Sequence, residues 1–295
     1  MNTNANSSVD TQRYRNVIDV AKDLPTLSTV VMRLNEMIAS PTTSAADVGS
    51  LISQDLALTG KTLKLVNSSF YGFPKKINSI IHAIVILGFN KVKNIALSVS
   101  VLQAFKKTPG KGFDYFGFWE HTIATAISAE VIARNLKSAY QEEAFVAGLL
   151  HDIGKLLLVQ YFPDEYGKVR ELIDREKITM FQAENEVIGF NHSLIGLWIA
   201  EKWNFPEPLC MAIRMHHNPL MARAHRELVL TVHVADIFAR ALGIGNGGDP
   251  YLPELEQTIW DQLRLNTTLA DKIMAEILDG VNKAGDFLDL VREKS

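Results

Sequence analysis

Seven of the eight histidines fall between residues 121 and 233, and several stand beside or in step with a carboxylate. His121, the dyad His151-Asp152, His192, the pair His216-His217 and Asp236 offer imidazole nitrogens and carboxylate oxygens, with no thiolate among them. That donor set suits iron, manganese or zinc, and a carboxylate such as Asp152 can bridge two ions. A binuclear centre acidifies a bound water and neutralises a phosphoryl group, which is the chemistry a phosphohydrolase would draw from these residue types. Lys155 lies three residues after Asp152, on the same helical face, and can pair with it or converge with it on one ligand.

Each donor must be carried by an element, and the apolar pattern assigns most of them to separate helices. His121 falls in the first turn of a helix in which Ile123, Ile127 and Val131 recur every four residues. Phe145, Val146, Leu149 and Leu150 make the next helix apolar nearly all round, and His151-Asp152 arrives at its end. Two ionisable groups at the end of a buried helix are costly unless something pairs with them. Gly148 and Gly154 flank the dyad and allow neighbouring helices to come close. His192 shares a stripe with Ile195, Gly196, Ile199 and Trp203, while His216-His217 ends a helix carrying Leu209 and Ile213, which Pro219 prevents from continuing. Asp236 is written into the apolar stripe Leu228, Val232, Ala235 and Ala239.

Singly, a core histidine is ordinarily satisfied by a backbone carbonyl, and a buried aspartate by a cap or a basic partner. Five helices supplying imidazole or carboxylate from core-facing positions point instead to one shared site. His233, one turn before Asp236, reads as packed, with a supporting role behind the ligands as the alternative. Trp203 reads as core, and His82 and His225 have no partner in the pattern.

The rest of the chain sets the frame. Its 295 residues hold 30 Lys plus Arg against 33 Asp plus Glu, a formal net charge of −3 that excludes a globally basic nucleic-acid coater. With 47% hydrophobic and 21% charged residues, 18 Gly and 10 Pro, it is a globular chain with few turn formers, and the expected class is all-α. The single Cys210 excludes a disulfide scaffold and a zinc ribbon and fits a reducing compartment. No apolar leader opens the chain and no uncharged apolar run nears the roughly 18 residues of a membrane span, so a cytoplasmic protein is expected, without a membrane partner.

Residues 1–12 read as a loose tail, and Thr108-Pro-Gly-Lys-Gly112 as a boundary between an N-terminal helical subdomain, 13–107, and a metal-binding helical subdomain with C-terminal helices, 113–295. In the first, Pro41 is a break. Ser44 and Asp47 cap a helix through Val48, Leu51, Ile52 and Leu56, and Ile80, Ile81, Ile84 and Leu87 precede a stop at Gly88 and a helix over 91–105. Nine lysines and no Asp or Glu lie between Lys61 and Phe113. They face the chain's own acidic half or form a solvated surface; the alternative is an anionic partner, nucleic acid included. Gly243 to Pro250 reads as a loop.

The spacing His121, His151-Asp152-Ile-Gly-Lys155 and a distant Asp236 resembles the H…HD…D signature of the HD superfamily of metal-dependent phosphohydrolases. The longer run Glu142 to Lys155, then Gly189-Phe-Asn-His192, Gly196, Trp203-Asn-Phe-Pro206, His216-His217 and Asp236, is similar to the HDOD branch, as are Leu24-Pro25, Asp55, Asn67-Ser-Ser-Phe-Tyr and Ile77-Asn-Ser-Ile. The resemblance covers roughly residues 20 to 240. It implies an N-terminal helical subdomain packed on an HD-type bundle in a bacterial signalling or regulatory protein. It also implies a ligand set like that of the HD-GYP phosphodiesterases. One metal would take His121, His151, Asp152 and Asp236. The second would take Asp152 as bridge with His192, His216 and His217, with Lys155 as a supporting or phosphate-contacting cation and Asp152 and Lys155 as the catalytic pair. Two iron or manganese ions are expected ahead of zinc. After His217 comes Asn218-Pro-Leu-Met-Ala with no Gly-Tyr-Pro motif, and Gly117 stands where a further carboxylate would support a third metal, which argues against cyclic-di-GMP hydrolysis. The expected function is a signal-transduction module with a signalling protein partner. The alternatives are a metal-dependent phosphohydrolase acting on a nucleotide or phosphodiester, and a nucleic-acid-associated regulator using the 61–111 lysines.

Overall fold

The computed structural model describes residue 27 and residues 29–38, 44–105 and 112–292. The proposed tail, Pro41, most of the 108–112 boundary, and Lys106, Lys107 and Lys111 lie outside these residues. Among the described residues the chain is helical, with no strand. An N-terminal group comprises α1 (Thr29–Ile38), α2 (Ala45–Ser53), α3 (Leu56–Val66), α4 (Ile80–Leu87) and α5 (Phe89–Ala104). There follow α6 (Tyr115–Asn135), α7 (Gln141–Leu150), α8 (Gly154–Tyr161), α9 (Pro163–Glu176), α10 (Met180–Val187), α11 (His192–Lys202), α12 (Glu207–Met215) and α13 (Arg226–Ala241). The chain closes with α14 (Gln257–Gln262), α15 (Thr267–Asn282) and α16 (Gly285–Arg292).

Capping decides where the N-terminal helices begin. Ser44 and Asp47 form the expected reciprocal cap on α2, but Asp55 accepts from the Leu58 amide at 2.9 Å and starts a new helix. Leu56 therefore leaves the stripe it was expected to extend and is 84% exposed. Gly88, at φ 85°, ends α4 as expected. Ile80 and Ile84 are buried on that helix, whereas Ile81 and Val85 face outward.

The second group is organised around α6, which is buried along most of its length and packs against α7, α13 and α15. Asp114 accepts from the Gly117 amide at 2.9 Å, so α6 starts at Tyr115 and His121 lies in its second turn, not its first. The stretch Gln141–Tyr161 has the length and hydropathy of a membrane span, yet it lies buried in the middle of this bundle. Two glycines make the packing possible. A Cβ on Gly148 would sit 2.7 Å from the Ala126 Cα, and one on Gly154 would sit 2.0 Å from the His192 carbonyl oxygen. Trp203 is buried against Phe105 and Phe205, as expected of a core residue.

Candidate metal centre

All seven expected donor residues converge in the middle of the bundle. His121 comes from α6, His151 and Asp152 from the turn after α7, His192 from the first residue of α11, His216 and His217 from the end of α12, and Asp236 from α13. His121, His151, Asp152, His192 and His216 are at most 1% exposed.

Donor atoms of Asp152, His192, His216 and His217 lie within 4.8 Å of one another, as do those of His121, His151 and Asp152. Asp152 joins the two groups. Its Oδ1 is 3.1 Å from His192 Nε2 and 3.6 Å from His216 Nε2, while its Oδ2 is 3.2 Å from His151 Nε2 and 3.8 Å from His121 Nε2. Asp236 Oδ1 completes the second face at 3.0 Å from His121 Nε2 and 3.8 Å from His151 Nε2.

The surroundings aim the rings. His151 Nδ1 donates to the Gly148 carbonyl at 2.7 Å and His216 Nδ1 to the Ile213 carbonyl at 2.8 Å, which leaves both Nε2 lone pairs directed inward. His233 Nδ1 donates to the His216 carbonyl at 2.7 Å, so this histidine does more than pack: it fixes the backbone of a candidate ligand. His192 Nε2 and His217 Nε2 share a contact of 2.9 Å. His225 pairs with Tyr140, and His82 is exposed on α4.

Both ring nitrogens of His121, Nε2 of His151 and His216, and Oδ1 of Asp152 are buried without an aligned hydrogen-bond partner. Five orphaned polar atoms in one buried cluster are expensive unless they find a partner. A divalent cation would supply that partner for Nε2 of the three histidines and for Oδ1 of Asp152, and the residues present fit one.

The electrostatics point the same way. Burial pulls His216 down to about 4 and pulls His121 and His217 below the ordinary histidine range, so these rings are neutral donors at neutral pH. Burial opposes ionisation of Asp152, but His151 and Lys155 outweigh it and hold the carboxyl well below its usual range; Arg240 and His121 do the same for Asp236.

The HDOD domain family matches residues 24–219, about two thirds of the chain. The chain belongs to the HDOD family. A protein of Treponema pallidum with no assigned function is 28% identical over 251 residues, 83% of this chain and 48% of the relative, so the chain spans about half the length of that relative. An HDOD domain protein of unknown function from Geobacter sulfurreducens shares the fold at a TM-score of 0.73 and 23% identity, covering 96% of this chain and 98% of its own. A candidate signal transduction protein from Marinobacter aquaeolei superposes at 0.77 and 22% identity, covering 96% of this chain and 66% of its own.

Three contributors to the candidate centre escaped the sequence reading. Glu184 of α10 is buried and accepts from His192 through both Nδ1, at 2.6 Å, and the backbone amide, at 2.9 Å. Nothing near it in the chain advertises this; only the apolar neighbours Met180 and Ala183 hint at a buried face. Arg240 donates to Asp236 at 2.9 Å, and its i+4 spacing was a legible signal. The glycine-rich loop after α13, read simply as a loop, lies directly over the centre. Beside it a cavity of about 690 Å³ is lined by His121, Arg170, Arg240 and the loop.

The lysine-rich stretch is partly answered within the chain. Lys91 pairs with Glu130, and Lys93 is half-buried with Glu142 and Glu143 near enough to act on its charge. Lys75 and Lys76 are exposed.

Proposed function

We propose that this HDOD protein is a signal-transduction module whose helical core holds a binuclear divalent-metal centre, with iron or manganese favoured. One ion would be held by His121, His151, Asp152 and Asp236, and the other by Asp152, His192, His216 and His217. The observation that carries this reading is the convergence of donor residues from five helices around Asp152, with Nε2 of His121, His151 and His216 and Oδ1 of Asp152 buried and orphaned. A signalling role accords with the naming of the Marinobacter neighbour and rests on that analogy; a signalling protein partner is part of the proposal.

Metal content of anaerobically purified protein tests it. About two equivalents of iron or manganese are expected in the wild type, with loss of both in Asp152→Ala and of one in His216→Ala. No stoichiometric metal after anaerobic reconstitution overturns the reading.

A phosphohydrolase is the second reading, favoured by the cavity that reaches His121 and Arg240. Bound ions would polarise a phosphoryl oxygen and acidify a water. The chain's own residues then orient the donors: Lys155 neutralises Asp152 at 2.5 Å, and Glu184 fixes the His192 ring. Hydrolysis of a chromogenic phosphodiester by the metal-loaded protein, abolished in Asp152→Ala, would support it. Silence with iron, manganese and zinc would leave the signalling reading alone. Salt-sensitive nucleic-acid binding abolished by Lys75→Glu with Lys76→Glu would instead favour the third reading.

A further inference from the structure

Two basic side chains tie the carboxylates of the centre to a single backbone carbonyl in the loop after α13. Lys155 Nζ donates to Asp152 Oδ2 at 2.5 Å and to the Gly247 carbonyl at 2.6 Å. Arg240 donates through Nε to Asp236 Oδ1 at 2.9 Å, and through one terminal nitrogen to the same Gly247 carbonyl at 3.2 Å. Its other terminal nitrogen lies 3.3 Å from Asp249 Oδ1, and Asp249 Oδ2 in turn accepts from the Met180 amide at 2.9 Å.

The oxygens held in this way belong to one half of the centre. Asp152 Oδ2 and Asp236 Oδ1 are the atoms that face His121 and His151, at 3.0 to 3.8 Å. The other half is built differently: Asp152 Oδ1 faces only the imidazoles of His192 and His216, at 3.1 and 3.6 Å, and no basic side chain grips it.

The loop is fitted to its seat. Gly245, at φ 67°, passes so close to α6 that a Cβ would lie 2.2 Å from the His121 amide nitrogen. A Cβ on Gly247 would meet the guanidinium carbon of Arg240 at 2.7 Å, and one on Gly248 the sulfur of Met180 at 2.5 Å.

We propose that the segment Gly243–Asp249 is a latch over the His121/His151 half of the centre. Loading the His192/His216/His217 half leaves the latch seated, and loading the His121/His151 half releases it. The inference rests on the metal-centre reading above.

A dication held in that half would withdraw charge from the Asp152 and Asp236 carboxylates, which hold the ammonium and the guanidinium. It also sets positive charge beside both in a poorly screened interior. Both grips on the Gly247 carbonyl weaken together, because both basic groups lose their anionic anchor. The coupling is reciprocal, so a loosened segment favours loading of that half. If Lys155 and Arg240 served only to orient the carboxylates, disturbing them would weaken metal binding instead.

The test is a stepwise Mn²⁺ titration of the full chain by calorimetry, with amide hydrogen exchange followed over residues 243–251 at each step. Two steps are expected in the wild type, the second weaker, with exchange in 243–251 accelerated by the second equivalent and not by the first. Gly247→Ala alters no charge and crowds the guanidinium; it should strengthen the second step by at least about five-fold and leave the first unchanged. Arg240→Gln should shift the second step in the same direction, and the glycine variant decides the matter if that protein fails to fold. Uptake with a quiet or slowed segment, or a second step unchanged or weakened in Gly247→Ala, overturns the latch. Absence of uptake in every protein overturns the metal-centre reading itself.

Discussion

Glu184 brings no donor atom to the centre, yet it governs what His192 can do there. Burial alone would lower His192, but the Glu184 and Asp152 carboxylates together outweigh it and hold the ring above its ordinary value. Replacing the acid should therefore cost affinity without costing the fold. Glu184→Gln is expected to weaken metal binding about 10- to 100-fold, read by metal titration, with an unchanged circular dichroism spectrum. His216 is displaced in the opposite direction, from an ordinary value of 6.5 to about 4. Between those values the unfolded chain takes up a proton that the folded chain refuses, so lowering the pH favours unfolding. Chelator-treated protein should lose stability as pH falls from 6.5 toward 4, with His216 contributing up to about 3 kcal/mol. His121 and His217 act in the same direction and His192 in the opposite one. Urea titrations across this range should show a shallower slope in His216→Gln, and an equal slope would refute the assignment.

At the scale of elements, the site exists because the ends of α7, α11 and α12 meet the sides of α6 and α13. The turn His151-Asp152 is brought beside α11 by the contact between α8 and α11, which only a residue without a side chain permits at position 154. Gly154→Ala would drive a methyl group into the His192 carbonyl oxygen 2.0 Å away, a backbone atom that cannot swing aside. The expected cost is about 3 kcal/mol of stability, measured by urea denaturation, together with reduced metal uptake because His192 moves with its helix. Recovery of full uptake in that variant would mean that the two helices can part without disturbing the centre.

Across the whole molecule, the C-terminal helices join the N-terminal group to the bundle. Phe287 of α16 is fully buried, with its ring 5.7 Å from Phe70 and 5.5 Å from Phe145, and the Ser69 hydroxyl donates to the Lys283 carbonyl at 2.9 Å. Three distant parts of the chain thus share one aromatic cluster. Phe287→Ala should destabilise the protein by about 3 to 5 kcal/mol, seen as a lower urea midpoint, while metal stoichiometry in the folded state stays unchanged. A neutral substitution would show that α16 merely rests on the surface.

The all-α class, the HDOD family and the identities of the seven candidate donors were legible in the sequence, because helical periodicity and the His151-Asp152 dyad are local patterns. His192 and Asp236 could be placed on core-facing stripes for the same reason. The start of α6 and the exposure of Leu56 were misjudged because Asp114 and Asp55 cap locally and reset the register of the helices they begin. Glu184, the seat of Gly245 against α6 and the double grip on the Gly247 carbonyl belong to the tertiary structure alone. Each is a contact between segments far apart in the chain, and the burial and electrostatics that give it meaning arise only when the helices pack.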